Sequence, residues 1–334
     1  IPRRRDNNSE ERRPIPLHPE VEFMKFRDPL SRALTGATWI FALLLMLAPL
    51  SLLAEDSDLS EAAPSFWKVE GEQNTVWLFG SVHVLTEEHY PLADAVEEAF
   101  EQSPYLVVET DIVNIDPQVQ QQLMVNAGLL PEGTTLEDVL GEERYKRATE
   151  LAGANGYDLS QMNMLRPWLL ALVLTVTEFE RMGYTADHGV ETYFLNRAAD
   201  KHKSIVELET LQFQISLFDE LDEETQIDFL MQTLEEIDGM EEQIEALISA
   251  WESGSLGELE DALLEDFQDY PEVYERIVTD RNHNWMDDIT RFLDEGEQDY
   301  FVVVGALHMV GEEGLVNLLR QAGYQIESKS VTAE

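Results

Sequence analysis

One short pattern occurs twice in this chain, and it constrains how everything between the copies can fold. The first copy runs Trp77-Leu78-Phe79-Gly80-Ser81-Val82-His83-Val84-Leu85 and, after Thr86, reaches Glu87-Glu88. The second runs Val302-Val303-Val304-Gly305-Ala306-Leu307-His308-Met309-Val310 and, after Gly311, reaches Glu312-Glu313. Each is an apolar run of strand length, then Gly-x-x-His, two apolar residues, one variable position and a Glu-Glu pair. A short apolar run bounded by glycine fits a strand buried on both faces. Open α/β sheets bind ligands just outside the carboxyl ends of such strands. The expectation is that His83 and His308, far apart along the chain, meet at one rim of one sheet.

The segments around the motifs support that architecture. Phe66–Val69, the turn Gly71–Asn74 and Thr75–Gly80 read as a hairpin. Pro91 opens a helix over Leu92–Gln102, with Leu92, Ala95, Val96 and Ala99 at helical spacing. Tyr105–Val108 follows as a buried strand ending in Glu109. This strand–helix–strand unit predicts a parallel pair, with His83 and Glu109 at neighbouring strand ends. A second helix–strand unit, Thr192–Lys201 then Ser204–Glu209, delivers Glu209 in the same way. Tyr300–Gly305 carries the second motif, with a helix at Gly314–Gln321 and a closing strand at Tyr324–Glu327. The fold class is therefore α/β: a mixed, largely parallel central sheet flanked by helices, with a helical insertion and an internal duplication around the two Gly-x-x-His strand ends.

Two stretches are mainly helical. Residues 117–187 carry helices at Gln118–Ala127, Thr135–Leu140, Glu142–Ala154 and Pro167–Met182, the last apolar nearly all round and so expected in the core. Residues 210–295 carry Leu211–Asp219, Glu223–Asp238, Met240–Trp251, Leu256–Phe267 and Pro271–Phe292. Within the last, Asp280-Arg281-Asn282-His283-Asn284-Trp285 concentrates polar groups. Arg281 is a candidate to contact an anionic substrate group or a transition-state oxyanion; the plain alternative is a helix salt bridge. His202 reads as an exposed helix end, and the scattered methionines as core filler.

The domain pattern places the α/β unit at residues 66–330. Residues 1–23 are rich in Arg, Pro and Glu and read as a disordered leader, and the layout beyond them makes Met24 the expected start of translation. Residues 24–54 resemble an export signal, with Lys25, Arg27 and Arg32 ahead of the apolar Trp39–Ala48 and a cleavage point after Leu53-Ala54. An uncleaved membrane anchor is the alternative, because Ala33–Leu53 approaches the roughly 20 residues needed to span a bilayer. Residues 55–65 form an acidic linker. The expected location is periplasmic or secreted, or else membrane-anchored and facing away from the cytoplasm.

Charge excludes one large class of function. The chain has 22 Lys and Arg against 67 Asp and Glu, a formal balance of −45. Such a surface repels nucleic acid and anionic membranes, and counterion release cannot drive DNA binding. Any membrane association is expected through the N-terminal segment alone. There are no cysteines, which removes thiolate ligands, cysteine nucleophiles and disulfides. No HExxH helix and no GxSxG elbow occur, so the zincin and ordinary serine-hydrolase arrangements are absent.

Two imidazoles and two carboxylates converging on strand ends are an inventory suited to a divalent metal with an open position. Such an ion lowers the pKa of a bound water and polarises a carbonyl. At this point the residues resemble the TraB/GumN (TIKI-type) metalloprotease-like family, within a wider group that includes erythromycin-esterase-like and ChaN-like haem-binding proteins. The resemblance covers about residues 66–327. It rests on Trp77–His83 with Pro91–Glu109, Leu165-Arg166-Pro167-Trp168, Gly189-Val190-Glu191, Glu207-Leu208-Glu209-Thr210, Asp280-Arg281-Asn282 and Val303–His308 with Gly314-Leu315.

That resemblance implies an α/β fold whose active centre combines the two Gly-x-x-His motifs and a glutamate, and a divalent metal (Mn, Co or Zn). Animal members are metal-dependent proteases acting on secreted signalling proteins. The leading expectation is an exported metal-dependent hydrolase acting on a peptide or protein substrate. His83, His308 and Glu209 would bind the metal, Glu109 would be a further ligand or general base, and Glu191 and Arg281 would position substrate. Arg166 receives no catalytic role. One alternative is a metal-free esterase-like hydrolase with a histidine as general base. Another is a non-catalytic protein that binds haem, metal or a peptide signal.

Overall fold

A computed structural model describes residues 66–264, 267 and 270–329; the expected leader, signal or anchor and linker over residues 1–65 lie outside these residues. The sheet has six strands: β1 (Phe66–Glu70), β2 (Thr75–Ser81), β3 (Tyr105–Val108), β4 (Ser204–Glu207), β5 (Tyr300–Gly305) and β6 (Ile326–Ser328), in the spatial order β4-β3-β5-β2-β1-β6. β2, β3, β4 and β5 run parallel, while β1 pairs antiparallel with β2 and with β6. The α/β class and the opening hairpin follow the sequence pattern.

One expectation is corrected. β2 and β3 are parallel but not neighbours, because β5 lies between them. The strand–helix–strand rule fixes direction and hand, not adjacency. The central place goes to the strand that is apolar on both faces. Phe301 and Val303 join the core on one side of the sheet, while Val302 and Val304 join the core on the other. Full burial of such side chains contributes about 1.5–3 kcal/mol each, so β5 belongs in the middle. This insertion also sets the two motifs side by side, with Ser81 paired to Gly305 in the parallel register.

The duplication reading holds only up to the motif helices. After the first motif the chain reaches β3, parallel to β5; after the second it reaches β6, antiparallel to β1 at the far edge.

Helices cover both faces. On one, the Asp280–Glu295 helix supplies Trp285, Ile289, Phe292 and Leu293, and the Leu315–Gln321 helix supplies Leu315, Val316 and Leu319. The other face is covered by the Asp94–Gln102 and Val190–Lys201 helices and the larger helical insertions. Pro167–Met182 is buried along most of its length, as its all-round apolar sequence requires. Gly141, at φ 75° and ψ 159°, breaks the Leu136–Ala154 helix where the sequence divides it in two. Among the described residues no helix is long and apolar enough to cross a membrane.

Candidate functional site

The carboxyl ends of β2, β3, β4 and β5 gather the chemistry. Beyond β3 and β4 the ladder continues for two residues, with Leu208 N–H donating to Val108 O at 2.9 Å and Glu209 N–H to Glu109 O at 2.8 Å. Glu109 and Glu209 are therefore held side by side at the ends of adjacent strands, one residue out of the β3–β4 register. His83 and His308 follow β2 and β5 by short turns. All four side chains are shielded: Glu109 and His83 are each 5% exposed and His308 is fully buried, and the Glu209 side chain is 6% exposed.

Arg281 lies among them, 1% exposed. Its helix follows a π-helical stretch, Glu275–Thr279, a distortion found often at functional sites. The guanidinium Nε donates to Glu209 Oε1 and Oε2 at 2.9 and 3.1 Å, and Nη2 to Glu209 Oε2 at 2.8 Å and Glu109 Oε2 at 2.5 Å. Nη1 donates to Ile277 O and faces His308 Nε2, each at 3.0 Å. A guanidinium has five N–H groups, and every one is engaged. Arg281 is thus a buried hub, and none of its donors is left to position substrate in this arrangement.

Other residues complete the hub. Gly305 N–H donates to Glu109 Oε1 at 2.8 Å, Gln214 Nε2 to Glu109 Oε2 at 3.0 Å, and Trp285 Nε1 to Glu209 Oε1 at 3.0 Å. Asn282 Oδ1 meets His308 Nδ1 at 2.7 Å, while its Nδ2 donates to His308 O and Glu313 O at 3.1 and 2.7 Å. Since Nε2 of His308 faces a guanidinium that can only donate, Nδ1 carries the proton and His308 is a neutral imidazole. Burial and the Arg281 charge both hold its pKa well below the ordinary 6.5. Burial also acts to raise the Glu109 carboxyl, but the Arg281 charge opposes it and the net shift is downward. For Glu209 burial prevails over Arg281, and the shift is upward. The hub therefore separates two similar carboxyls.

His83 sits in a different environment. Its Nδ1 lies 2.9 Å from Glu191 Oε1, and Ser81 Oγ donates to the same carboxylate oxygen. Glu191 is in the first turn of the Val190–Lys201 helix, which docks on the motif through Val190 N–H donating to Val82 O at 3.1 Å. Gly189 permits that approach, because a Cβ there would collide with the carbonyl of His83. Burial works to lower the His83 pKa, but the charge and contact of Glu191 overcome it and the net direction is upward; Glu191 is correspondingly held below its ordinary range.

A pocket opens beside this pair, lined by Ser81 and His83 and by the apolar Leu247, Leu263 and Leu307. Trp251 anchors the Met240–Ser253 helix above it by donating Nε1–H to Gly80 O at 2.8 Å.

The TraB/PrgY/gumN family pattern matches residues 65–328, almost the whole of the described structure. The chain belongs to the TraB/PrgY/gumN family. Within it, the chain is 26% identical over 243 residues to the uncharacterized protein YbaP of Escherichia coli (strain K12), covering 73% of this chain and 87% of YbaP. The YbaP protein of Shigella flexneri matches to the same extent. An uncharacterized protein of Treponema pallidum (strain Nichols) is 22% identical over 209 residues, covering 59% of this chain and 60% of that protein. No solved structure matches the chain.

The metal centre suggested by the family resemblance can be tested against these contacts. Glu209 is engaged on both oxygens by Arg281 and Trp285, and the lone pair of His308 Nε2 meets Arg281. Among the described residues no group of three His, Asp or Glu side chains is disposed to hold a metal ion. The set His83, His308 and Glu209, as arranged, does not fit one.

Four contributors had no role assigned from sequence. Ser81, Asn282 and Trp285 lie within or beside recognisable motifs, so proximity could have flagged them. Gln214 sits in an unremarked turn of the Leu211–Asp219 helix, and no sequence signal marks it.

Proposed function

We propose that this member of the TraB/PrgY/gumN family is a hydrolase that adds water to a carboxylic ester or amide, with His83 as general base and Glu191 orienting it. The observation that carries this reading is the Glu191–His83 contact of 2.9 Å between two buried side chains, set against a second histidine locked as a neutral imidazole. Pairs of like groups whose environments drive their pKa values apart mark acid–base assignments. Here His83 is pushed up and His308 far down.

In this mechanism Nδ1 of His83 keeps its proton on Glu191, so Nε2 takes the proton from the attacking water and returns it to the leaving group. Glu191 balances the imidazolium as it forms, and Ser81 holds the carboxylate against rotation. A positioned general base contributes about 10²–10⁴-fold. The apolar Leu247, Leu263 and Leu307 wall a space about the size of one water molecule beside His83, which suits the attacking water. The export-signal pattern over residues 24–54 supports action outside the cytoplasm.

The test is steady-state hydrolysis of short-chain p-nitrophenyl esters and a fluorogenic peptide, with and without EDTA, by the wild type and His83→Ala. Turnover that persists in EDTA and falls at least ~100-fold in His83→Ala supports the proposal. Turnover abolished by EDTA and restored by Mn²⁺ supports a metal-dependent hydrolase instead, and ligand binding without turnover a binding protein.

A further inference from the structure

The geometry points to Arg281 as the resident cation of this centre: its guanidinium occupies the face that Glu109, Glu209 and His308 would otherwise turn toward a divalent metal. This concerns the hub and is independent of the proton transfer assigned to His83.

Three observations support it. First, the three residues are the ones a metal would need on this side of the rim, and each directs an acceptor atom at the same side chain, with distances of 2.5–3.1 Å. Secondly, the His308 lone pair leaves no room. A metal–imidazole bond is about 2.0–2.1 Å, whereas Nη1 of Arg281 lies only 3.0 Å from Nε2 along that approach. An ion placed there would meet the guanidinium nitrogen inside van der Waals contact, and a second positive charge would be unfavourable beside the first. Thirdly, Arg281 is not a side chain that swings aside readily. It is 1% exposed, its Cζ lies 4.8 Å from the centre of the Trp285 ring, and Ile277 O accepts from Nη1. A fixed planar donor with five N–H groups can satisfy two carboxylates and an imidazole together.

The arrangement also implies a latent site. Removing the guanidinium leaves two carboxylates and a neutral imidazole converging on the vacated space, a donor set suited to Co²⁺ or Zn²⁺.

The experiment is titration of Co²⁺ into the full chain, read by visible ligand-field absorption and calorimetry, for the wild type, His308→Ala, Arg281→Ala and Arg281→Ala/His308→Ala. The wild type is expected to show no saturable Co²⁺ signal dependent on His308. Arg281→Ala should bind at least ~10-fold more tightly, and the double variant should lose that gain. Should the alanine variant fail to fold, Arg281→Gln takes its place in both the single and the double variant, with the same expected gain and loss. Stoichiometric Co²⁺ binding by the wild type that disappears in His308→Ala overturns the inference. So does a folded Arg281→Ala or Arg281→Gln chain that binds no better than the wild type. Neither result bears on whether His83 acts as a base, which the hydrolysis assay decides.

Discussion

Glu191 Oε1 lies 2.9 Å from Nδ1 of His83 although the two residues belong to different parts of the chain, one opening a helix and the other following β2. The pair gives one motif histidine a partner that favours its charged form. The other motif histidine meets a guanidinium that opposes charge. Two copies of one sequence pattern have thereby become chemically unlike.

His308 should remain neutral throughout the pH range in which the protein is folded. In a histidine-selective NMR titration its ring resonances should not move between about pH 5 and pH 8, and Nδ1 should carry the proton. With its folded pKa below the unfolded 6.5, the unfolded chain binds the extra proton, so His308 makes the fold less stable as pH falls below 6.5. His308→Asn should lessen this acid sensitivity in urea unfolding.

Arg281→Ala should cost about 3–5 kcal/mol, the usual effect of leaving buried charge uncompensated. Chemical unfolding at neutral pH measures it. Arg281 also helps depress the Glu109 pKa, a contribution present above the unfolded 4.5 and lost as pH falls toward the folded value. The variant should therefore lose relatively less stability on acidification than the wild type. Arg281→Lys should recover only part of the loss, since an ammonium cannot reproduce the planar five-donor fork.

Ser81→Ala should leave folding intact yet lower kcat more than it changes KM. Ser81 donates to the Glu191 oxygen that also faces His83. Its removal frees that carboxylate and should raise the basicity of Glu191, which a shift of the pH–rate inflection would reveal.

Much of the fold could be read from residue order because it is local. The Phe66–Glu70 and Thr75–Ser81 hairpin, the apolar Tyr300–Gly305 strand, the buried Pro167–Met182 helix and the Gly141 break all rest on periodicity or punctuation within a few residues. Strand order is not local. β5 enters between β2 and β3 because its two apolar faces need cover from both cores, and no pairwise motif records that. The site divides the same way. The glycines and strand ends announce His83, His308, Glu109 and Glu209, whereas the polar cluster around Arg281 marks it as a candidate to contact an anionic substrate group and does not reveal its partners. Only its burial, and the acceptors brought from β3, β4 and β5, show that its donors are spent inside the protein. Gln214 is invisible for the same reason: its partner lies on another element.

The most direct test of the His83–Glu191 assignment is the pH dependence of kcat/KM for ester hydrolysis by the wild type and Glu191→Gln. Glu191 holds a proton on His83 and so raises its pKa above the ordinary 6.5; the neutral form is the active base. The wild-type profile should therefore rise with pH through an inflection above 6.5, and Glu191→Gln should move that inflection to lower pH while reducing the limiting rate. An inflection at or below 6.5 that stays in place when Glu191 is replaced would contradict the assignment.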